Sequence, residues 1–301
     1  MGEKHPRGVR TDATRTQIWS TNEGNSLMAT WLITGCSSGL GRAIAEAAIG
    51  AGHNVIVTAR DASRVAALAD GRPSVVAVAL DVTDQQQVDD AVRVAEAAFG
   101  GVDVLVNNAG YGYRSAVEEG DEGVRSLFET NFFGAVAMIK AVLPGMRARR
   151  SGAIVNLSSI GVQLMPVGSG YYAASKAALE GVTGALRGEL APLGITVTTV
   201  EPGAFRTDFA GRSLTESAVV IDDYADTAGR RRKAHDTAHG TQPGDPAKAA
   251  RVLVDMVESG SAPGFLLLGR DALANYRRAQ AARDDEIAAW EQVTTSTDLE
   301  G

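Results

Sequence analysis

In the stretch Tyr172-Ala-Ala-Ser-Lys176 a phenol and an ammonium stand four residues apart, and at about 3.6 residues per helical turn that spacing puts both on one helix face. A free tyrosine titrates near ~10, too high for ready proton exchange at neutral pH, and a cation within a few Å favours the phenolate and lowers that value. Tyr172 beside Lys176 is therefore a candidate acid/base pair. Upstream, the apolar run Ile154-Val-Asn-Leu157 has strand character and ends in two hydroxyls, Ser158 and Ser159. A strand end can aim a hydroxyl at the same point.

A second constellation binds rather than reacts. Thr34-Gly-Cys-Ser-Ser-Gly-Leu-Gly41 follows an apolar run directly and precedes a stretch carrying Ala43, Ala45, Ala47 and Ala48. Strand, glycine turn and helix in that order read as a dinucleotide-binding turn. Gly35 allows the sharp exit from the strand, while Gly39 and Gly41 let the backbone approach a pyrophosphate resting on the helix N-terminus. The spacing is G-x-x-x-G-x-G rather than the usual G-x-G-x-x-G.

An NAD site places an Asp or Glu at the end of the second strand to accept from the adenosine ribose. Val55-Ile-Val-Thr-Ala-Arg60 offers Ala59 and Arg60 there. Without a repelling carboxylate and with a guanidinium, the position suits the additional 2′-phosphate of NADP(H). Asp81-Val82 falls where the adenine edge would lie, and Asn107-Asn108-Ala109-Gly110 supplies small and amide residues beside the cofactor.

Short β-branched runs alternate with Ala-rich stretches of helical period, the pattern of βαβ units on a parallel sheet. Strands are expected at 29–34, 54–59, 75–80, 102–106, 152–157, 195–200 and 264–268. Helices are expected at Gly41–Gly50, Asp84–Phe99, Asp121–Met146 and Tyr171–Leu190, with a shorter one opening at Asp61. Asp245-Pro246 reads as an N-cap with proline at the first helical position of a helix reaching about Glu258, and Asp271–Trp290 as a last, polar helix. The segment of about 204–244 has no strand pattern and is expected to be a substrate lid. Within it Arg230-Arg-Arg-Lys233 reads as a solvated helix face.

The 301 residues carry 29 basic and 36 acidic side chains, a net charge of −7, with no long basic stripe, which argues against nucleic acid as a partner. Cys36 is the single cysteine, so an intramolecular disulfide and a cysteine metal cluster are excluded. His235 and His239 are spaced i, i+4, but no acidic residue completes a zinc-protease pattern, so no metal is expected. No apolar run approaches the ~20 residues of a membrane span. With 45% hydrophobic residues the chain can build one large α/β core. Residues 1–27 lack apolar patterning and are expected to form a disordered extension, with Met28 as an alternative start and 28–301 as the catalytic domain.

On these motifs the chain resembles the short-chain dehydrogenase/reductase family, in its compact, NADP-preferring branch, over roughly Thr30 to Gly269. The carriers are Thr34-Gly-Cys-Ser-Ser-Gly-Leu-Gly41, Asp81, Asn107-Asn-Ala-Gly110, Asn131, Ser159, Tyr172, Lys176 and Pro202-Gly203. The resemblance implies a single Rossmann-like, doubly wound α/β domain with a seven-stranded parallel sheet in the order 3-2-1-4-5-6-7. It implies that Tyr172 is the proton donor, that Lys176 lowers its pKa and holds the nicotinamide ribose, that Ser159 binds the substrate oxygen, and that Asn131 holds a relay water. The step to lysine selects Tyr172 over Tyr171, and the thirteen-residue interval selects Ser159 over Ser158. It further implies cofactor contacts from Ser37, Ser38, Leu40, Val82, Asn108, Ala109, Gly110, Pro202, Gly203 and Thr207, besides Gly35, Gly39, Gly41, Arg60 and Asp81.

The opening and the Glu201-Pro-Gly-Ala-Phe-Arg-Thr-Asp-Phe209 stretch are similar to bacterial relatives of 17β-hydroxysteroid and retinol dehydrogenases. A cytoplasmic oxidoreductase of a small, lipophilic alcohol or carbonyl compound is expected, as a homodimer or homotetramer built on helices 121–146 and 171–190. A 3-oxoacyl thioester reductase and a non-catalytic NADP(H)-sensing regulator share the same binding residues. The extension before Met28 and the chain after Gly269 depart from the family pattern and receive no roles.

Overall fold

The computed structural model describes residues 28–211, 213–235 and 240–299. The expected N-terminal extension and His239 lie outside the described residues. Seven strands, β1 (Thr30–Ile33), β2 (Asn54–Ala59), β3 (Val75–Ala79), β4 (Val104–Asn107), β5 (Gly152–Leu157), β6 (Ile195–Pro202) and β7 (Phe265–Leu268), form one parallel sheet. Its order is β3-β2-β1-β4-β5-β6-β7, as expected. The major helices are α1 (Gly39–Gly50), α2 (Gln85–Phe99), α3 (Ala135–Arg149), α4 (Gly170–Leu190), α5 (Pro246–Glu258) and α6 (Arg270–Ala289).

The strands are apolar on both faces because each face meets a helical layer. Side chains alternate along a strand, so Trp31, Ile33, Val55, Val57, Val104, Val106 and Val155 enter one core with Ile44 and Ala48 of α1 and Leu253 and Val257 of α5. Their neighbours Leu32, Ile56, Leu105 and Ile154 enter the other, with Val88 and Val92 of α2, Met138 and Val142 of α3, and Leu186 and Leu190 of α4. Each such buried side chain contributes roughly 1.5–3 kcal/mol. Asp84 caps α2 by accepting from the Gln86 and Gln87 amides, and Asp245 caps α5 in the same way, ahead of Pro246.

Three expectations need correction. The helix expected at 121–146 starts at Gly123, because the Asp121 carboxylate instead accepts from the Tyr113 hydroxyl at 2.6 Å and the Gly123 amide at 2.8 Å. It continues through a π-helical turn, Glu129–Gly134, into α3. That helix, Gly123–Arg149, is 27 residues long and by length and composition could cross a membrane. Here Leu127, Met138, Ile139, Val142 and Met146 are buried in the protein.

Secondly, the segment 204–244 does contain a strand. Leu214–Glu216 pairs in parallel with Gly112–Arg114, matching Arg114 to Glu216, and a helix follows at Ala228–His235. Strands of three residues with a partner so distant in sequence leave no periodicity to detect. Thirdly, the basic run is not simply a solvated face: Arg232 turns inward onto Glu119 at 2.7 Å.

Candidate active site

The order of the sheet reverses between β1 and β4, and a crevice at the carboxyl ends of strands is where doubly wound sheets bind ligands. A cavity of about 1150 Å³ opens there. Gly35, Ser37, Ser38, Gly39 and Leu40 form its floor, with Ala59, Arg60, Asp81 and Val82 at one end and Ser159, Tyr172 and Lys176 at the other. Asn108, Ala109, Gly110, Pro202, Gly203 and Thr207 complete the wall between them. Apart from Gly41, Asn107 and Asn131, every residue expected in the site lies on this one surface.

The glycine turn is held from behind. The Thr34 hydroxyl accepts from the amides of Asn108 and Ala109, both at 2.9 Å, and the Asn108 side chain donates to the carbonyls of Thr34 and Gly35 at 2.8 and 3.1 Å. Gly41 serves this bracing rather than the ligand. A Cβ on it would stand 2.3 Å from Asn108 Nδ2 and 2.4 Å from the Gly35 carbonyl. Gly39, at φ +62°, faces the cavity across from Thr207. A bare backbone at the N-terminus of α1 fits a pyrophosphate. Arg60 is exposed on the wall, and its charge reaches the Tyr111 phenol. Arg42 is instead engaged with Glu46 at 2.9 Å.

The Pro202-Gly203 turn owes its shape to the C-terminal helix. Asp271 accepts from the Ala204 amide at 2.7 Å, and a Cβ on Gly203 would meet the Asp271 carboxylate at 2.4 Å. The chain after Gly269 therefore does position the site.

At the reactive end, the two tyrosines separate cleanly. Tyr171 donates to the Val117 carbonyl at 2.7 Å and sets its ring edge-on to Tyr113, whereas Tyr172 is on the cavity wall, 5.8 Å between ring centroids from Phe209. The two serines separate as well. The Ser158 hydroxyl is spent on Glu180, while that of Ser159 accepts from the Gly161 amide at 3.0 Å beside Tyr172. Burial raises the Tyr172 pKa, and the Ser159 hydroxyl and then the Arg114 charge pull against it.

Lys176 does not take the expected direction. Its Nζ donates to the Leu157 carbonyl at 2.8 Å. Helical spacing aligns the first atoms of the two side chains, but a buried ammonium turns to whichever acceptor is in reach. Burial lowers its pKa to about 8, against the nearby Glu180 charge.

Asn131 sits on the π turn, behind the wall. It accepts from the Tyr111 amide at 3.0 Å and donates to the Tyr111 carbonyl and Ser175 Oγ at 2.9 and 3.1 Å. A Cβ on Gly110 would lie 2.9 Å from Asn131 Oδ1 and 3.3 Å from Lys176 Nζ. A glycine there is what lets the amide oxygen and the ammonium come close together.

Sequence reasoning missed Arg114, which lines the cavity, and the carboxylates Glu180 and Glu201. The latter stand one helical turn beyond Lys176 and next to Pro202, positions that could have flagged them. Glu201 is fully buried, accepts from Gln163 at 2.7 Å and faces Glu180. Burial pushes its carboxyl up to about 8, and the Glu180 charge adds to the rise. The folded state thus holds a proton there that the unfolded chain releases at about pH 4.5. The associated stability is full below about 4.5 and is lost as pH rises through about 8. Thermal melting from pH 5 to 9 should therefore show a falling Tm, and Glu201→Gln should flatten that fall; an unchanged slope would place the proton elsewhere.

The sequence profile described as short chain dehydrogenase matches residues 29–217. Among individual proteins, the chain is 37% identical over 270 residues to the oxidoreductase BOA17 of Botryotinia fuckeliana, covering 89% of this chain and 98% of that one. It is similar to the crystal structure of a short-chain dehydrogenase from Streptomyces avermitilis, with 42% identity, a TM-score of 0.84, and 90% and 100% of the two chains covered. A 3-ketoacyl-(acyl-carrier-protein) reductase from Brucella melitensis, complexed with NADH, matches at 26% identity and a TM-score of 0.66, over 79% of this chain and 95% of that one.

Proposed function

Because the chain belongs to the short-chain dehydrogenase family, we propose that it moves a hydride between NADP(H) and a ketone or secondary alcohol. The observation that carries this is one cavity bearing the glycine turn on its floor and Ser159, Tyr172 and Lys176 at one end. When bound, the nicotinamide supplies or receives the hydride. Gly35, Ser37, Ser38, Gly39 and Leu40 would cradle the pyrophosphate, Asp81 and Val82 the adenine, and Asn108, Ala109, Gly110, Pro202, Gly203 and Thr207 the nicotinamide half. The Ser159 and Tyr172 hydroxyls polarise the substrate oxygen, and Tyr172 Oη gives up its proton to it in the reductive direction. Lys176 Nζ, with a water held by Asn131, restores that proton. General acid catalysis of this kind contributes ~10²–10⁴-fold.

The choice of NADP(H) over NAD(H) rests on Ala59 and Arg60. A charge-assisted pair between Arg60 and a 2′-phosphate contributes on the order of 1.5–3 kcal/mol, about ten- to a hundredfold in affinity, less at high salt. Ala59→Asp combined with Arg60→Ala should reverse the preference, since the carboxylate repels what the guanidinium attracted. Dissociation constants for both cofactors on both proteins check this. A wild type that favours NADH, as the cofactor of the Brucella melitensis structure would suggest, would contradict it.

The substrate would enter beneath residues 204–244, with Phe205, Thr207 and Phe209 on the cavity wall in support of a lid. The far part of this segment is tied down, with Ser217 and Ala218 donating to Asp121 at 3.0 Å each. The likeness to the 3-ketoacyl reductase keeps a 3-oxoacyl thioester as a second substrate class. A panel of ketones, alcohols and 3-oxoacyl thioesters with both reduced cofactors tests the function. Cofactor binding without any turnover would leave the protein a sensor.

A further inference from the structure

Hydride transfer to a neutral ketone requires no positive charge at the substrate end, yet two guanidinium groups reach it. Arg114 ends the strand Gly112–Arg114 on the cavity wall, and its Nη1 touches the Ser169 hydroxyl, one turn before Tyr172. Its Nε is buried with no hydrogen-bond partner. Arg231 comes from the other side, on the helix Ala228–His235, and lines the same cavity. Its Cβ lies 3.4 Å from where a Cβ on Gly168 would stand, so it enters at the corner that Arg114 also meets.

The two charges act on each other. Burial and then the Arg231 charge bring the Arg114 pKa down to about 10, and Tyr172 and Glu216 oppose this. The neighbour of Arg231 in the basic run, Arg232, is by contrast paired with the Glu119 carboxylate at 2.7 Å. The acidic groups on the cavity wall do not do the same for Arg114. Asp121 is taken up by Tyr113, Gly123, Ser217 and Ala218. Glu129 belongs to the π turn Glu129–Gly134. Glu216 is exposed opposite Arg114 in the strand register, with no hydrogen bond to it. Tyr113 and Phe209 give the rest of this end an apolar surface.

We propose that Arg114 and Arg231 form a carboxylate-binding subsite, so that the substrate is an oxo or hydroxy acid with an apolar body. This rests on the oxidoreductase reading of the same cavity. A guanidinium with a free edge matches a carboxylate through paired N–H donors, and a second cation adds to the attraction. Arg231 lies beyond residue 217, where the match to the family profile ends.

The experiment compares 2-, 4- and 6-oxo-octanoate with their methyl esters as substrates, using NADPH, for the wild type, Arg114→Gln and Arg231→Gln. At least one acid should exceed its ester in kcat/KM by about ten- to a hundredfold, with the ratio falling towards unity in Arg114→Gln and part of the way in Arg231→Gln. The acid-to-ester ratio cancels any effect of Arg114 on Tyr172, because both substrates use the same proton donor. Octanoate binding, measured by calorimetry on the three proteins with NADP present, gives a second readout. Should no compound turn over, the oxidoreductase reading fails, and octanoate binding that weakens in both variants still supports the subsite. If Arg114→Gln does not fold, the exposed Arg231 carries the test. Esters equal to or better than the acids, a ratio unchanged in the variants, or octanoate binding indifferent to both substitutions would each overturn the subsite.

Discussion

Replacing Tyr172 by phenylalanine is expected to lower kcat by ~10²–10⁴-fold, with little change in the dissociation constant of NADPH. The ring is retained, and with it the packing on Phe209 at 5.8 Å; what disappears is the phenolic proton beside Ser159. Burial keeps the phenol raised above its ordinary value in the free protein despite Ser159 and Arg114. It is thus protonated at neutral pH, so reduction should not decline through the neutral range on its account. Oxidation needs the phenolate and should speed up with rising pH. Stopped-flow hydride transfer with the wild type and the variant checks this, and near-normal turnover in Tyr172→Phe would remove the residue from its role.

Substitution of Lys176 by methionine should damage two steps together. The side chain fills similar space, but the ammonium that donates to the Leu157 carbonyl at 2.8 Å and stands near the Glu180 charge is gone. Losing a charged hydrogen bond costs about 1.5–3 kcal/mol, which is ten- to a hundredfold in NADPH affinity if Lys176 also holds the ribose. Turnover should fall by ~10² or more through the broken proton path. The ammonium is charged below its lowered value of about 8. Wild-type NADPH binding should therefore weaken as pH rises through about 8, and the variant should lose that dependence. A change in only one of the two quantities would refute the double role.

The sheet order, the glycine turn and the Tyr172-to-Lys176 step could all be read in the sequence because each rests on short-range periodicity. Strand alternation, as in Trp31-Leu32-Ile33, and helical spacing are local properties. What could not be read depends on where long side chains turn after folding. Lys176 lines the cavity together with Tyr172, but its ammonium donates to the Leu157 carbonyl of β5. Asn131 bonds Tyr111 and Ser175 from the π turn, partners that no spacing in the sequence indicates. Gly41 was expected against the pyrophosphate and instead makes room for Asn108. Arg114 and Arg231 meet only through a strand pair and a helix drawn from distant parts of the chain, so no spacing marks them. Glu180 and Glu201 are brought together by α4 and β6, and burial rather than residue type raises their pKa values.

The account stands most directly on the path of one hydride. With NADPH carrying deuterium at the transferring carbon and a ketone from the panel that turns over, mass spectrometry of the product alcohol should find that deuterium on the carbinol carbon. Tyr172→Phe should produce the same labelled alcohol far more slowly. Cofactor that is bound but never oxidised by any ketone, or an alcohol formed without the label, would contradict it.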